Sequence, residues 1–187
     1  MAGVRNAETT KEAILTAATA EFSRHGFAGA RVERIAATSG KNRAMIYAYF
    51  ESKELLFKSV FDRVVASVTS RVPIDADDLA GYAVSLFDEA QQDPHPTRLA
   101  AWDRLERDAT GLQADLVRTT NAAKVDAIAA AQRAGSVSDR IPADHLLDVV
   151  IALSRLQGRD PAAETSEAAV AARRRTVHEA VSAVVSP

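Results

Sequence analysis

The chain has 187 residues, enough for one large domain or two small ones that together bury roughly 70% of their unfolded surface. It contains no cysteine, which excludes disulfides, thiolate zinc sites and cysteine nucleophiles. The net charge of −2 conceals an asymmetry: residues 1–71 hold eleven Lys/Arg against seven Asp/Glu and residues 72–187 twelve against eighteen, so a polyanionic partner is expected at the N-terminal part alone.

The opening "MAGVRNAETTKEA" lacks the apolar run of a secretion signal. No stretch approaches the roughly 18 apolar residues of a membrane span; the longest, "LLDVVIAL", has the size of a buried helix. The expectation is a cytoplasmic protein with no membrane partner.

Apolar spacing near 3.6 recurs throughout and strand-like alternation is absent, which predicts an all-α fold. Thr9 and Glu12 form a capping box that opens a first helix, with Ala13, Ile14, Ala17, Ala18 and Phe22 on its apolar face. Gly26 ends it, and Phe27 folds back on the core. A short helix "RVERIAAT" follows, with Val32, Ile35 and Ala36 on one side. The turn "SGKN" pivots on Gly40 and leads into a second short helix, Arg43–Phe50. Ser52 can cap a long helix from Lys53 to about Arg71, with apolar positions Leu55, Leu56, Val60, Val64 and Val68. Beyond Pro73, helices are expected over 77–92, 97–109, 112–134, 143–157 and 164–185. The chain thus divides into residues 1–52, with two short helices and their turn at 31–50, a joining helix at 53–71, and a region at 72–187.

Two short helices around a tight glycine turn make a helix-turn-helix, whose second helix enters the major groove and offers its N-terminal residues to base edges. At 100° per residue, Ile46 and Phe50 fall on one face and pack inward, while Arg43 and Tyr47 share another. Ala44 allows close approach, Met45 offers an apolar contact, and Tyr49 reaches toward a phosphate. Lys53 lies in the first turn of the next helix, where unpaired amides and the helix dipole favour an anion. Arg5 and Lys11 could hold the flanking backbone or the minor groove.

The strings "ILTAATAEFSRHGF", "VERIAATSG" and "IYAYFESKELLF" resemble the DNA-binding domain of the TetR (tetracycline repressor-like) family. The resemblance is strong over the first third; the remainder matches in helix count, length and placement. It implies an all-α chain with an N-terminal three-helix DNA-binding domain and a C-terminal helical ligand-binding and dimerisation domain. It implies base or sugar contacts near Arg43, Ala44, Met45 and Tyr47, and phosphate contacts from Tyr49 and Lys53, with no cofactor. Two positions depart from the family pattern. The N-cap of the second helix, usually Ser or Thr, is Arg31, which cannot accept the open amides but can reach a phosphate. The turn residue after Gly40, usually a buried Val, is Lys41, whose stem can pack while its ammonium turns outward. Asn42 completes the candidate contact set. Glu33 faces the same side and would repel phosphate unless paired with Arg34 or Arg31.

A small-molecule effector, largely apolar, is expected among Tyr82, Leu86, Phe87, Leu99, Trp102, Leu105 and Leu116, although Trp102 reads more readily as a core anchor. A homodimer reading a pseudo-palindrome in double-stranded operator DNA is expected to pair through the last two helices, a four-helix bundle. The candidate seam is Leu147, Val150, Ile151, Ala169, Ala172, Val177, Ala180, Val181 and Val184. His25, His95, His145 and His178 stand singly, so no metal site is expected. Asp103 and Glu106 alternate with Arg104 and Arg107 and read as ion pairs on a solvated face, and "RRR" at 173–175 as rim charge. No nucleophile–base pair or phosphate loop suggests an enzyme. The leading reading is a transcription repressor released by its effector; the alternative is a TetR-like helical protein that binds proteins or ligands without operator DNA.

Overall fold

The computed structural model describes residues 2–106, 114–157 and 166–187, and side chains for 7–106, 117–157 and 166–187. The described residues form nine helices and no strand, as the periodicity predicts: α1 (Ala2–Gly29), α2 (Val32–Ser39), α3 (Arg43–Phe50), α4 (Lys53–Arg71), α5 (Leu79–Gln92), α6 (His95–Glu106), α7 (Ala114–Ala134), α8 (Ala143–Ser154) and α9 (Glu167–Val185). They divide into two units, residues 1–67 with 95–116, and residues 68–94 with 117–187.

In the first unit α1 starts at Ala2, so Thr9 is internal to the helix and not its N-cap. Nothing in "AGVRNAE" stops a helix, and the capping-box partner Glu12 pairs instead with Arg63 of α4. Gly26 breaks α1 with φ 68° and ψ −177°, a conformation open essentially to glycine alone. The chain then turns Phe27 back, as expected, into an aromatic cluster with Phe22 (centroids 6.3 Å apart) and Phe57 (5.5 Å). Ile14, Ala18, Phe22, Ile35, Ile46, Leu56 and Val60 complete this core at 0–1% exposure. Burying each large one contributes about 1.5–3 kcal/mol.

The turn chemistry of the helix-turn-helix is local. Gly40 adopts φ 66° and ψ 23°, and both its amide and that of Lys41 donate to the Ala36 carbonyl, closing α2. The Asn42 side chain accepts the Met45 amide at 2.8 Å and opens α3. Ser52 caps α4 by accepting the Leu55 amide at 3.1 Å. Between them Glu51 has φ 62° and ψ −48°, and the Ser52 amide donates to the Phe50 carbonyl at 2.6 Å. That is a γ-turn of the rare positive-φ kind on a residue with a side chain. The buried stripe of α4 is Leu56, Phe57, Val60 and Phe61; Leu55, expected inside, is 40% exposed.

Helix α6 belongs to the first unit, whereas its place in the chain assigned it to the C-terminal domain. It packs along α1: Leu99 is fully buried, the Trp102 indole N–H donates to the Ser23 carbonyl at 3.3 Å, and His95 Nδ1 lies 2.6 Å from the Ser23 hydroxyl. The residues 107–109 and 112–113 of the expected helices, and 164–165 of the last one, lie outside the described set.

The second unit has its own core. Leu79, Tyr82, Ala83 and Phe87 of α5 meet Ile128 of α7, Leu146, Leu147 and Val150 of α8, and Val177 and Val181 of α9. Asp78 caps α5 through the Gly81 amide (2.8 Å) and Ser166 caps α9 through the Ala169 amide (3.2 Å). No helix among the described residues is long and apolar enough to cross a membrane.

Candidate nucleic-acid interface

Helix α3 separates its two faces cleanly. Ile46 and Phe50 are buried at 1% and 4%, while Met45, Tyr47 and Tyr49 are 36–37% exposed, together with Arg43, Ala44 and Ala48. Residues 43–45 and 47–49 are thus all exposed, and the buried face of α3 is confined to Ile46 and Phe50, four residues apart as the 100° step requires. The Arg43 guanidinium sits 5.9 Å from the Tyr47 ring centroid. Its Nη1 lies 2.7 Å from Glu33 Oε1 on α2.

That pairing corrects the expected one. Arg34 is committed elsewhere: it bonds Glu21 through Nε (2.8 Å) and Nη2 (2.5 Å) and the Gly29 carbonyl (2.8 Å). The Arg31 side chain is exposed and makes no cap bond, and its backbone amide donates to Glu21 at 2.9 Å. Glu21 thus ties the start of α2 to α1, a role that its surroundings in the sequence do not announce. Desolvation pushes the Glu21 carboxyl up, but the Arg34 hydrogen bond, the Arg31 amide and the attraction of Arg34 and His25 outweigh it and hold it below the ordinary carboxylate value.

Lys41 is half-buried at the turn, as a packing stem requires, and Asn42 spends its side-chain oxygen on the cap. Lys53 is also half-buried, with its ammonium 4.7 Å over the Phe27 ring. The ring steers the ammonium at the start of α4. Glu106, read from sequence as part of a solvated ion-pair face, instead accepts the Phe27 amide at 2.6 Å.

The expected effector residues are distributed over both units. Tyr82 and Phe87 are buried and Leu86 half-buried in the second unit. Leu99, Trp102 and Leu105 lie on α6 in the first, with Leu105 75% exposed. The Leu116 side chain is outside the described set. In the second unit Tyr82 has a buried hydroxyl without a hydrogen-bond partner, its pKa pushed up by burial to about 12. Lys124 stands 5.8 Å over its ring, its own pKa lowered by burial. A groove of ≈ 340 Å³ between α5 and α9 is lined by Gly81, Val84, Ser85, Arg174, Arg175, His178 and Glu179, with Arg174 held by Asp88 at 2.9 Å.

The expected dimer seam is corrected in four places. Leu147, Val150, Val177 and Val181 are buried at 0–1% in the core of their own unit. On α8 the Leu146, Leu147 and Val150 side of the apolar circumference is taken up by packing within the chain. Ile151, Ala169, Ala180 and Val184 are half-buried and Ala172 is exposed.

Two family models match the chain: "Bacterial regulatory proteins, tetR family" over residues 14–60, and "Tetracyclin repressor-like, C-terminal domain" over residues 78–183. The chain belongs to the TetR family. This TetR-family protein is a DNA-binding transcription regulator, and the exposed residues of α3 lie inside the matched N-terminal region. It is 39% identical over 151 residues to the HTH-type transcriptional repressor SCO4008 of Streptomyces coelicolor, covering 80% of this chain and 79% of that one. It is 48% identical over 67 residues to the HTH-type transcriptional repressor NicS of Pseudomonas putida, covering 35% of this chain and 32% of that one. Among solved structures, the Streptomyces coelicolor protein SCO4942, described as a transcriptional regulator, superposes with a TM-score of 0.82 at 34% identity over 94% of this chain and 98% of that one.

Proposed function

We propose that this TetR-family regulator is a cytoplasmic repressor that binds a pseudo-palindromic operator as a homodimer and leaves it when a small-molecule effector binds. The exposure of Arg43, Met45, Tyr47 and Tyr49 on a helix whose buried face is core carries the reading. Arg43 and its neighbours read base edges, and Lys53, Tyr49, Arg31 and Lys41 hold phosphates. One such helix makes few base contacts, so a dimer with recognition helices about 34–36 Å apart supplies the affinity. Ala172, with Ile151, Ala169, Ala180 and Val184, is the part of α8 and α9 left to such a seam. The two relatives named as repressors support repression as the direction of control.

The effector site is drawn from the second unit, around Tyr82, Leu86 and Phe87. An apolar molecule with one acceptor group, admitted by opening of this buried region, suits it, because the Tyr82 hydroxyl lacks an acceptor and Lys124 adds a cation nearby. Binding favours a dimer packing whose recognition helices mismatch the operator.

The test is duplex binding with DNA from upstream of the regulator's own gene. Arg43→Ala should weaken binding and relax base preference. Lys53→Ala should weaken binding to all sequences evenly and lower the salt slope by about one. If neither substitution alters binding to any DNA, α3 is not the recognition helix.

A further inference from the structure

Glu33 is the second residue of α2 and Arg43 the first of α3, so the turn brings a carboxylate against a guanidinium at the leading end of the recognition helix. Both side chains are 57% exposed, and Glu33 Oε1 lies 2.7 Å from Arg43 Nη1. A carboxylate at this place is costly for plain affinity, because it faces a phosphate backbone and neutralises the Arg beside it. As a stability device an exposed ion pair is worth little. What the pair does supply is donors and an acceptor held side by side.

Arg43 is held at Nη1 by Glu33 and over its face by Tyr47, 5.9 Å from the ring centroid. Its other guanidinium N–H groups remain available as donors, and the carboxylate keeps Oε2 as an acceptor. Set against a base pair, two of those donors and Oε2 can offer a row of donor, donor, acceptor. In the major groove a G·C pair presents guanine N7 and O6 as acceptors and cytosine N4 as a donor, in that order. An A·T pair presents acceptor, donor, acceptor and meets the row with two like groups opposed.

On the reading that α3 faces the operator, we propose that Glu33 and Arg43 act as one specificity element that reads a single G·C pair in each half-site. Arg43 donates to guanine and Glu33 accepts from the amino group of the paired cytosine. Glu33 also restrains Arg43 from binding phosphate at random, so it lowers affinity for arbitrary DNA while it sharpens the choice of operator.

The experiment is selection of bound duplexes from a random pool by the full-length protein, Glu33→Ala, Glu33→Gln and Arg43→Ala, followed by titration of single-base variants of the selected site. The wild type should select a G·C pair at one position of each half-site and discriminate against A·T there by roughly tenfold or more. Arg43→Ala should lose preference at that position. Glu33→Ala should lose most of it at the same position while binding random-sequence DNA as tightly as the wild type or more tightly. Glu33→Gln, which keeps an acceptor but no charge, should fall between. If Glu33→Ala selects the wild-type site with undiminished preference, or if the position sensitive to Arg43 is not G·C, the proposal is overturned and the operator reading stands. If the wild type selects no sequence at all, the operator reading fails and takes the proposal with it.

Discussion

The carboxylate of Glu106, at the last residue of α6, accepts the Phe27 backbone amide at 2.6 Å and the Ala28 amide at 3.3 Å. Gly26 has just broken α1, so these amides have left the helical ladder and need an outside acceptor. Phe27 in turn packs on Phe22 and Phe57 and carries the Lys53 ammonium over its ring. A single carboxylate therefore links α6 to the residue whose ring carries the Lys53 ammonium. Glu106→Gln keeps an acceptor but loses the charge, and Glu106→Ala loses both. Glu106→Ala should destabilise the protein by about 1 kcal/mol, below the range of buried charged hydrogen bonds because the carboxylate is exposed, read as a shift in urea midpoint. Glu106→Gln should cost less than half of that. Equal losses in both variants would mean that the amides do not depend on this oxygen.

Gly26→Ala should be far more damaging. A Cβ there would lie 2.8 Å from the Trp102 ring and 2.5 Å from Glu106 Oε1, on a backbone that L-residues avoid. Displacing the indole and straining the backbone together should cost about 3 kcal/mol or more. Thermal unfolding with Trp102 fluorescence measures this, since the same ring reports on its own displacement. An unchanged melting temperature would sink the idea that the glycine is sterically required.

Glu51→Gly should behave in the opposite way. The γ-turn at Glu51 costs on the order of 1–3 kcal/mol for a residue with a Cβ, while glycine adds about 0.5–1 kcal/mol of unfolded-state entropy. The net expectation is a gain of about 0 to 2.5 kcal/mol by denaturant titration. A loss larger than 1 kcal/mol would show that the Glu51 side chain contributes something the turn geometry does not reveal.

The Glu21 network predicts an acid limb of stability. The folded pKa of Glu21 lies below its unfolded value, so its contribution is complete above the ordinary carboxylate range and disappears as pH falls through the folded value. Glu21→Gln should be less stable than the wild type at pH 7, and the gap should narrow as the pH is lowered below about 5. Melting temperatures of both proteins at pH 7 and pH 4 decide it; a gap that is constant with pH would assign the loss to hydrogen bonding alone.

Tyr82→Phe removes a buried hydroxyl that has no partner and should raise stability by about 1 kcal/mol. The phenol is pushed up to about 12 by burial, so it stays a neutral donor across the working pH range and the gain should not vary between pH 6 and 9. Differential scanning calorimetry at both pH values checks this; a destabilised variant would mean that the hydroxyl is satisfied in solution.

Much of the candidate DNA-facing surface is legible in the sequence because the determinants are local. The 100° step between residues separates Ile46 and Phe50 from Arg43 and Tyr47 whatever surrounds the helix. Gly40 and Ser52 close and open helices through bonds within five residues, and Gly26 ends α1 by its own backbone freedom. Even there the local rule has limits: the Thr9–Glu12 box is present, yet Glu12 is taken by Arg63, 51 residues away, and the helix runs on to Ala2. The α4 stripe shifts by one residue for a related reason, because Phe57 and Phe61 compete successfully with Leu55 for the aromatic cluster.

By itself the sequence determined helix class, the turn, the two faces of α3 and the family resemblance, since these follow from covalent spacing and backbone propensity. Tertiary structure alone decided which partners distant groups take. It set α6 on α1, so Leu99 and Trp102 serve the first unit. It placed Leu147, Val150, Val177 and Val181 inside their own unit, where an apolar helix face is as well satisfied as at a dimer seam. It gave Arg34 to Glu21 and thereby left Glu33 to Arg43. The physical reason is common to all three: burial is non-directional and ion pairs need only proximity, so neither carries in its residue type the identity of the element it will meet.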